Sequence, residues 1–335
     1  MHQPKISIIT PFKNTAHYLS ECLDSIVGQS YTNWELLIVD DHSTDRSYKV
    51  VENYAQKDQR IQLMTNTGRG IIPALRKAYE HSSGALITRM DSDDIMPLNK
   101  LERLTDLLLG NGRGHVALGQ VKYFSADGIS EGYSKYEDWL NKLTADGSNF
   151  SEIYKECPIP SPCWMVYRED FDRCGGFNHD TYPEDYDLCF RFFEAGYQCI
   201  ASNERLHLWR DYPTRTSRTH EHYAQNYFLD LKFKYFVKLH LNKNRPLVIW
   251  GAGFKGKRLA KLFIQEAIPF EWMCDNPNKI GREIYKQSML HFSDLDRFSH
   301  AQIIVTVANP EAQVVISDFM STRSLKPMQD YFFFC

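Results

Sequence analysis

Ala85–Leu86–Ile87–Thr88–Arg89–Met90–Asp91–Ser92–Asp93–Asp94 is the stretch on which the reading of this chain turns. An apolar strand runs straight into three carboxylates within four residues. Carboxylates this close repel one another. They either stay solvated with raised pKa values or hold a hard divalent cation that takes oxygen ligands. A polar turn after a strand gives the same local string, so the neighbouring segments have to decide.

Upstream, Lys5 to Thr10 is a β-branched run ending at Pro11, the pattern of a strand buried on both faces of a parallel sheet. Leu19, Cys22, Leu23, Ile26 and Val27 follow at helical spacing. Trp34 to Val39 is a second buried strand. It runs into Asp40–Asp41–His42–Ser43–Thr44–Asp45, where Ser43, Thr44 or Asp45 caps the next helix. Ile61 to Thr65 supplies a third strand and Gly68–Arg69–Gly70 a flexible loop. Residues 71–81 supply a helix whose Pro73 is tolerated in the first turn. This alternation predicts an α/β fold with a mainly parallel sheet. Ligands of such sheets bind outside the carboxyl ends of the strands, and both acidic clusters, Asp40–Asp41 and Asp91–Asp94, lie at such ends. Two acidic patches on one functional edge favour a site over two chance turns. Pro11–Phe12–Lys13–Asn14 stands where a dinucleotide fold would carry its glycines.

Downstream, 97–109 reads as an amphipathic helix and Val116 to Phe124 as a strand. Residues 125–162, with Gly128, Gly132, Gly147 and Pro158–Ile159–Pro160–Ser161–Pro162, read as loop. Tyr133, Tyr136, Trp139 and Trp164 are there to stack on sugar faces or, more commonly for such residues, to cover a core. In Pro183–Glu184–Asp185–Tyr186–Asp187–Leu188 a helix begins with Asp185 on the same face as the later Leu188, Cys189, Phe192 and Phe193 stripe. A carboxylate so placed either accepts a proton from a substrate hydroxyl or merely stabilises the helix start.

Taken in order, the strand ending in Pro11, the Val39–Asp45 turn, Asn66–Thr67–Gly68, Arg89–Met90–Asp91–Ser92–Asp93–Asp94 and Glu184–Asp185–Tyr186–Asp187–Leu188 resemble a family-two glycosyltransferase of the GT-A fold, over Lys5 to about Arg218. The resemblance implies a mixed, mainly parallel sheet with helices on both faces. It also implies non-processive transfer of a hexosyl or related sugar, with inversion, from a nucleoside diphosphate donor, a UDP-sugar being favoured. Pro11, Asp40, Asp41, Arg69 and Asp91 would bind the donor nucleotide. Asp93, with Asp94 close by, would hold Mn2+ or Mg2+, and Asp185 would be the general base. The acceptor implied is a glycan or lipid-linked hydroxyl in surface-polysaccharide or glycan assembly. One departure stands out: in Leu208–Trp209–Arg210–Asp211–Tyr212–Pro213, Tyr212 occupies the place of a frequent histidine. That leaves His207, His220 and His222 as candidates for a third metal ligand.

The domains expected are 1–222 for the transferase, 223–245 for a helical linker and 246–335 for a small Rossmann-like domain. The linker carries Tyr227, Phe228, Leu231, Tyr235 and Leu239 alternating with Lys232, Lys234 and Lys238, a pattern that packs domains together or lies on an anionic membrane. Beyond it, Leu247 to Trp250 leads into Gly251, Gly253 and Gly256 at G-x-G-x-x-G spacing, and Asp275 falls where a ribose-binding acid belongs. A nucleotide such as NAD(P) and a structural turn are the two readings. At 335 residues, 43% hydrophobic and 24% charged, with a formal net charge of −3, the composition is globular and carries no basic excess for nucleic acid. Eight cysteines without paired spacing are expected as reduced thiols. With no apolar leader and no long apolar run, the expected location is cytoplasmic, with peripheral contact at the inner face of the membrane as an extension. Two rival functions stand beside glycosyl transfer: a non-catalytic sugar-nucleotide-binding protein, and an NAD(P)-dependent sugar-modifying enzyme acting through the C-terminal domain.

Overall fold

A computed structural model describes residues 3–215, 218 and 228–335. The chain forms two compact units, Met1–Phe150 with Pro158–Thr219, and Ser151–Cys157 with His220–Cys335.

The first unit is built on β1 (Ile6–Phe12), β2 (Trp34–Asp40), β3 (Ile61–Thr65), β4 (Leu86–Arg89), β5 (His115–Phe124), β6 (Trp164–Tyr167) and β7 (Gln198–Arg210). Their spatial order is β3-β2-β1-β4-β6-β5-β7. All neighbours are parallel except β6, which runs antiparallel to both β4 and β5. This is the expected mixed, mainly parallel α/β sheet. Between β2 and β4, β1 is central and buried from Ile6 to Thr10, which is why its sequence is apolar without alternation. Pro11 lies past the last β1–β4 pair, Ile9 with Arg89, so its missing N–H costs no ladder bond on that side.

The helices are α1 (Leu19–Val27), α2 (Ser47–Ala55), α3 (Ile71–Glu80), α4 (Lys100–Asn111), α5 (Glu131–Asp146), α6 (Arg168–Arg173) and α7 (Glu184–Glu194). The α1 stripe of Leu19, Cys22, Leu23 and Ile26 is fully buried. Before α2, Asp45 is the residue of the expected capping trio that binds the helix start, accepting from the Ser47 N–H at 2.9 Å.

One expectation is corrected. Residues 125–162 are not loop throughout, because α5 occupies sixteen of them. Ser130 caps it by accepting from the Tyr133 N–H, Gly147 ends it in the left-handed region, and Leu140, Leu143 and Thr144 face inward. The glycines that suggested loop lie before the helix, in its exposed first turn, and at its end. Of the two readings of Trp164, the structure takes the core one: it is buried in β6 and packs on Phe171 and Phe192. Tyr136 and Trp139 stack on each other, against the core.

The long β7 positions the site. Ile95 and Leu208 exchange backbone hydrogen bonds at 3.1 and 3.0 Å, which lays residues 206–210 along the chain that follows the Asp91–Asp94 motif.

The second unit has a six-stranded sheet in the order Glu283–Ile284, Gln287–His291, Glu271–Cys274, Leu247–Trp250, Gln302–Val305, Tyr331–Phe333. It is parallel apart from the first hairpin. Helix Leu229–Leu239 belongs to this unit: Phe233 packs on Phe263 and Phe236 on Phe332, at 4.8 and 5.1 Å between ring centres. Lys232, expected on a basic face, points inward and donates to the Lys155 carbonyl at 2.7 Å. Tyr227 lies outside the described residues. All eight cysteines are free thiols. Among the described residues no helix is long and apolar enough to cross a membrane.

Candidate active site

The site lies along the carboxyl ends of β1, β2 and β4. At the end of β2 the two aspartates have different local duties. Asp40 Oδ1 accepts the Ser43 N–H at 3.0 Å and folds its own turn. Asp41 Oδ1 accepts from Asn66 Nδ2 at 2.7 Å and from the Gly70 N–H at 2.9 Å, while Oδ2 faces Lys13 Nζ at 3.3 Å. One carboxylate therefore ties the ends of β1 and β2 to the loop before α3. Arg69 in that loop is exposed and has no hydrogen-bond or ion-pair partner among the described residues. Pro11 is half-buried at the end of β1, and a Thr15–Ser92 hydroxyl pair at 3.0 Å joins the loop beyond it to the acidic motif.

The motif is organised from β4 and β7. Arg89 is buried, and its guanidinium reaches Asp91 Oδ1 through Nε at 3.0 Å and Nη2 at 2.9 Å, and Glu184 Oε1 through Nη1 at 2.9 Å. Burial works against this charge, but Asp91 and Glu184 hold the guanidinium firmly protonated. Asp94 is fully buried, and both its oxygens are engaged. Oδ1 takes the Arg210 N–H at 2.8 Å and Oδ2 pairs with His207 Nε2 at 2.9 Å. Buried Lys100 donates to His207 Nδ1 at 3.3 Å and to the Pro162 carbonyl at 2.6 Å. Since Nδ1 accepts, Nε2 carries the proton toward Asp94. Burial, with Lys100 alongside, pushes the imidazole well below its ordinary pKa, so the ring is neutral.

Asp93 differs from Asp94. It is half-buried; Tyr212 Oη donates to its Oδ2 at 2.8 Å, and Oδ1 has no partner among the described residues. Burial, then the neighbouring Asp94 carboxylate, raises its pKa to about 7. Arg215, on Trp209 at 5.1 Å, has its charge opposed by burial and upheld by Asp94, Tyr123 and Asp93. Arg210 donates through Nε to the Asp93 carbonyl at 2.7 Å and pairs with Glu21.

Asp185 sits in the first turn of α7. Its Oδ1 accepts the Tyr186 N–H at 2.7 Å, and Oδ2 has no partner among the described residues. Burial and then Glu184 raise its pKa to about 7, against the pull of Arg89. Asp187, two residues on, is bound to Arg191 Nε at 2.8 Å and serves the fold.

Among the described residues no group of three His, Cys, Asp or Glu side chains forms a ready metal cage. The donor set at Asp93 still fits a hard cation. It has a carboxylate oxygen without a donor among the described residues, held beside two more carboxylates, and a raised pKa that a divalent charge would lower. His207 is not placed to be a third ligand, because both ring nitrogens are already bonded. His220 and His222 lie outside the described residues.

In the second unit the glycine turn is explained by packing. A Cβ on Gly251 would stand 2.4 Å from Thr306 Oγ1, and one on Gly256 would stand 2.1 Å from the Gly251 carbonyl oxygen. Gly253 meets no such contact and precedes helix Phe254–Gln265. Asp275 is exposed at the end of strand Glu271–Cys274, and Lys279 Nζ donates to the Ala252 carbonyl at 2.7 Å.

Sequence reading gave no role to Arg89, Glu184, Lys100 or Arg215. An arginine closing an apolar strand was the available signal for Arg89. The Lys100–His207–Asp94 chain joins residues more than a hundred positions apart and leaves no local pattern.

Residues 7–175, half of the chain, match the model of Glycosyl transferase family 2. Over 108 residues the chain is 42% identical to the Escherichia coli UDP-Glc:alpha-D-GlcNAc-diphosphoundecaprenol beta-1,3-glucosyltransferase WfgD, covering 32% of this chain and 42% of that protein. The chain spans half or less of the length of the curated relatives first matched. In fold it resembles S. aureus TarS 1-349 in complex with UDP-GlcNAc, with a TM-score of 0.55, 18% identity, and 77% and 71% of the two chains covered. It also resembles the Pyrobaculum calidifontis mannosyltransferase PcManGT in complex with GDP-Man and Mn2+, with a TM-score of 0.52, 21% identity, and 71% and 64% covered. The chain belongs to glycosyl transferase family 2.

Proposed function

We propose that the first unit transfers a hexosyl or related sugar from a nucleoside diphosphate donor, a UDP-sugar being favoured, to a hydroxyl of a glycan or lipid-linked acceptor, with inversion and one sugar per encounter. The observation that carries the reading is a pair of carboxylates, Asp93 in the motif after β4 and Asp185 at the start of α7, whose neighbours Asp91 and Glu184 share Arg89; each has one oxygen with no hydrogen-bond donor among the described residues and a pKa of about 7. They suit the two tasks that displacement at an anomeric carbon sets. Asp185 takes the proton of the attacking hydroxyl through Oδ2 while its Oδ1 stays on the Tyr186 N–H, a role worth about 10²–10⁴-fold in rate. Asp93 holds the divalent ion, Mn2+ or Mg2+, with Asp94 lending negative charge from behind. When bound, the ion offsets the charge that develops on the diphosphate leaving group. Direct displacement needs no nucleophile beyond the acceptor.

The donor is assigned to the carboxyl edge of the sheet at Pro11, the loop that Asp41 ties down, and Asp91. Asp40 and Asp41 shape its base-binding side, Asp91 lies by the ribose, and exposed Arg69 meets the phosphate-rich portion. The UDP-GlcNAc complex of TarS and the UDP-Glc donor named for WfgD support a uridine nucleotide, and the Mn2+ in PcManGT supports the ion. WfgD's diphosphoundecaprenol acceptor supports a lipid-linked one. The C-terminal glycines Gly251 and Gly256 are assigned to packing rather than to NAD(P). The test is release of nucleoside diphosphate from a panel of nucleotide sugars with Mn2+. Turnover is expected from the wild type and not from Asp93→Ala or Asp185→Asn; turnover that survives both changes overturns the assignment.

A further inference from the structure

We propose that Arg89 is a positioning residue that aims Asp185, acting through Glu184, and that its second arm, to Asp91, sets donor binding separately. The inference rests on the reading of Asp185 given above. A guanidinium only 6% exposed, at the end of a strand whose other members are Leu86, Ile87 and Thr88, is costly to desolvate. An apolar side chain of similar volume would commonly serve the fold as well or better. What such a residue cannot do is hold two carboxylates from separate segments at once. The Arg89 fork does so with three contacts of 2.9–3.0 Å. The rigid, planar fork suits this, whereas a lysine ammonium is a single point charge.

Glu184 is the first residue of α7 and Asp185 the second, so a hydrogen bond that fixes Glu184 fixes the peptide from which Asp185 projects. Among the described residues Asp185 has only the adjacent Tyr186 N–H to hold its own carboxylate, which leaves its aim dependent on that first turn. Among the described residues the charged groups that act on it most are Glu184, Arg89 and Asp91, of which Arg89 is the cation. Misplacement of a reacting group by about 1 Å can cost on the order of a hundredfold in rate, which sets the scale of the effect.

The two arms predict a split. Glu184→Ala removes one arm. With kcat normalised to the stoichiometry of nucleoside diphosphate binding, it should fall at least about tenfold while the donor KM stays within about twofold. Glu184→Gln, which keeps an acceptor for Arg89 Nη1, should recover kcat to within about threefold of wild type. Arg89→Lys, unable to span both carboxylates, should lower kcat and raise the donor KM together. If Arg89→Lys does not fold, the two Glu184 variants decide. A Glu184→Ala enzyme that loses thermal stability but keeps its normalised kcat overturns the proposal, as does a Gln variant no better than Ala. If the wild type turns over no nucleotide sugar, it is the transferase reading that fails. A crystal structure of Glu184→Ala then decides this inference alone: a displaced Asp185 carboxylate supports it, and an unmoved one overturns it.

Discussion

Replacing Asp185 by asparagine should make the protein more stable at neutral pH while removing its activity. The folded-state pKa of Asp185 is about 7 against an ordinary 3.8, chiefly because burial penalises the charged form and Glu184 repels it. A carboxyl whose pKa is raised by folding binds its proton more tightly in the folded state. Its ionisation therefore costs nothing below about pH 4, an increasing amount between pH 4 and 7, and a constant amount above pH 7. Three units correspond to about 4 kcal/mol at most. Partial exposure and the Arg89 charge reduce what an uncharged replacement recovers, to on the order of 1–2 kcal/mol. In a unit of this size that is a melting-temperature gain of roughly 2–8 °C. The assay is thermal unfolding of wild type and Asp185→Asn at pH 4, 6 and 8, beside nucleoside diphosphate release. The variant's advantage should be absent at pH 4 and largest at pH 8, with turnover down by about 10²–10⁴-fold. A variant less stable than wild type at pH 8, or a gain that does not change with pH, would refute the reasoning.

Three further outcomes follow from the same contacts. Because Asp185 must be ionised to accept a proton, kcat/KM measured against pH should rise through an acid limb near pH 7 and then level; a flat profile from pH 5 to 8 contradicts this. Lys100→Met leaves the Pro162 carbonyl and His207 Nδ1 without a donor in a fully buried place. Denaturant unfolding should show a loss of about 1–3 kcal/mol, and no loss would remove Lys100 from the account. Gly256→Ala forces a Cβ against the Gly251 carbonyl and should destabilise the second unit by about 1–3 kcal/mol, seen as an earlier thermal transition. An unshifted transition would reopen these glycines to a ligand role.

Much of the first unit was legible because its physics is local. Continuous apolar runs mark β1, β2 and β4 as doubly buried strands, and the acidic residues stand at their carboxyl ends because ligands meet parallel sheets there. What escaped was non-local or masked. The helix Glu131–Asp146 is flanked by glycines that read as loop, and its caps, Ser130 and Gly147, mark a helix only together with the buried stripe between them. The division of labour between Asp93 and Asp94 could not be read from two adjacent aspartates. It depends on β7 returning to place His207 and the Arg210 N–H on one of them and Tyr212 on the other. The glycine spacing after Trp250 marked a tight turn correctly, yet the same spacing serves close packing at Thr306 as well as it would serve a phosphate.

The central claim is inverting transfer with Asp185 as base, and the stereochemistry of the product tests it most directly. Purified protein with Mn2+, a UDP-sugar of α-configuration and a lipid-linked saccharide acceptor should give a product whose anomeric proton, followed by NMR from the first turnovers, reports the β-linkage. That signal should vanish in Asp185→Asn. An α-linked product, or a β-linked product formed at an unchanged rate without Asp185, would contradict the account.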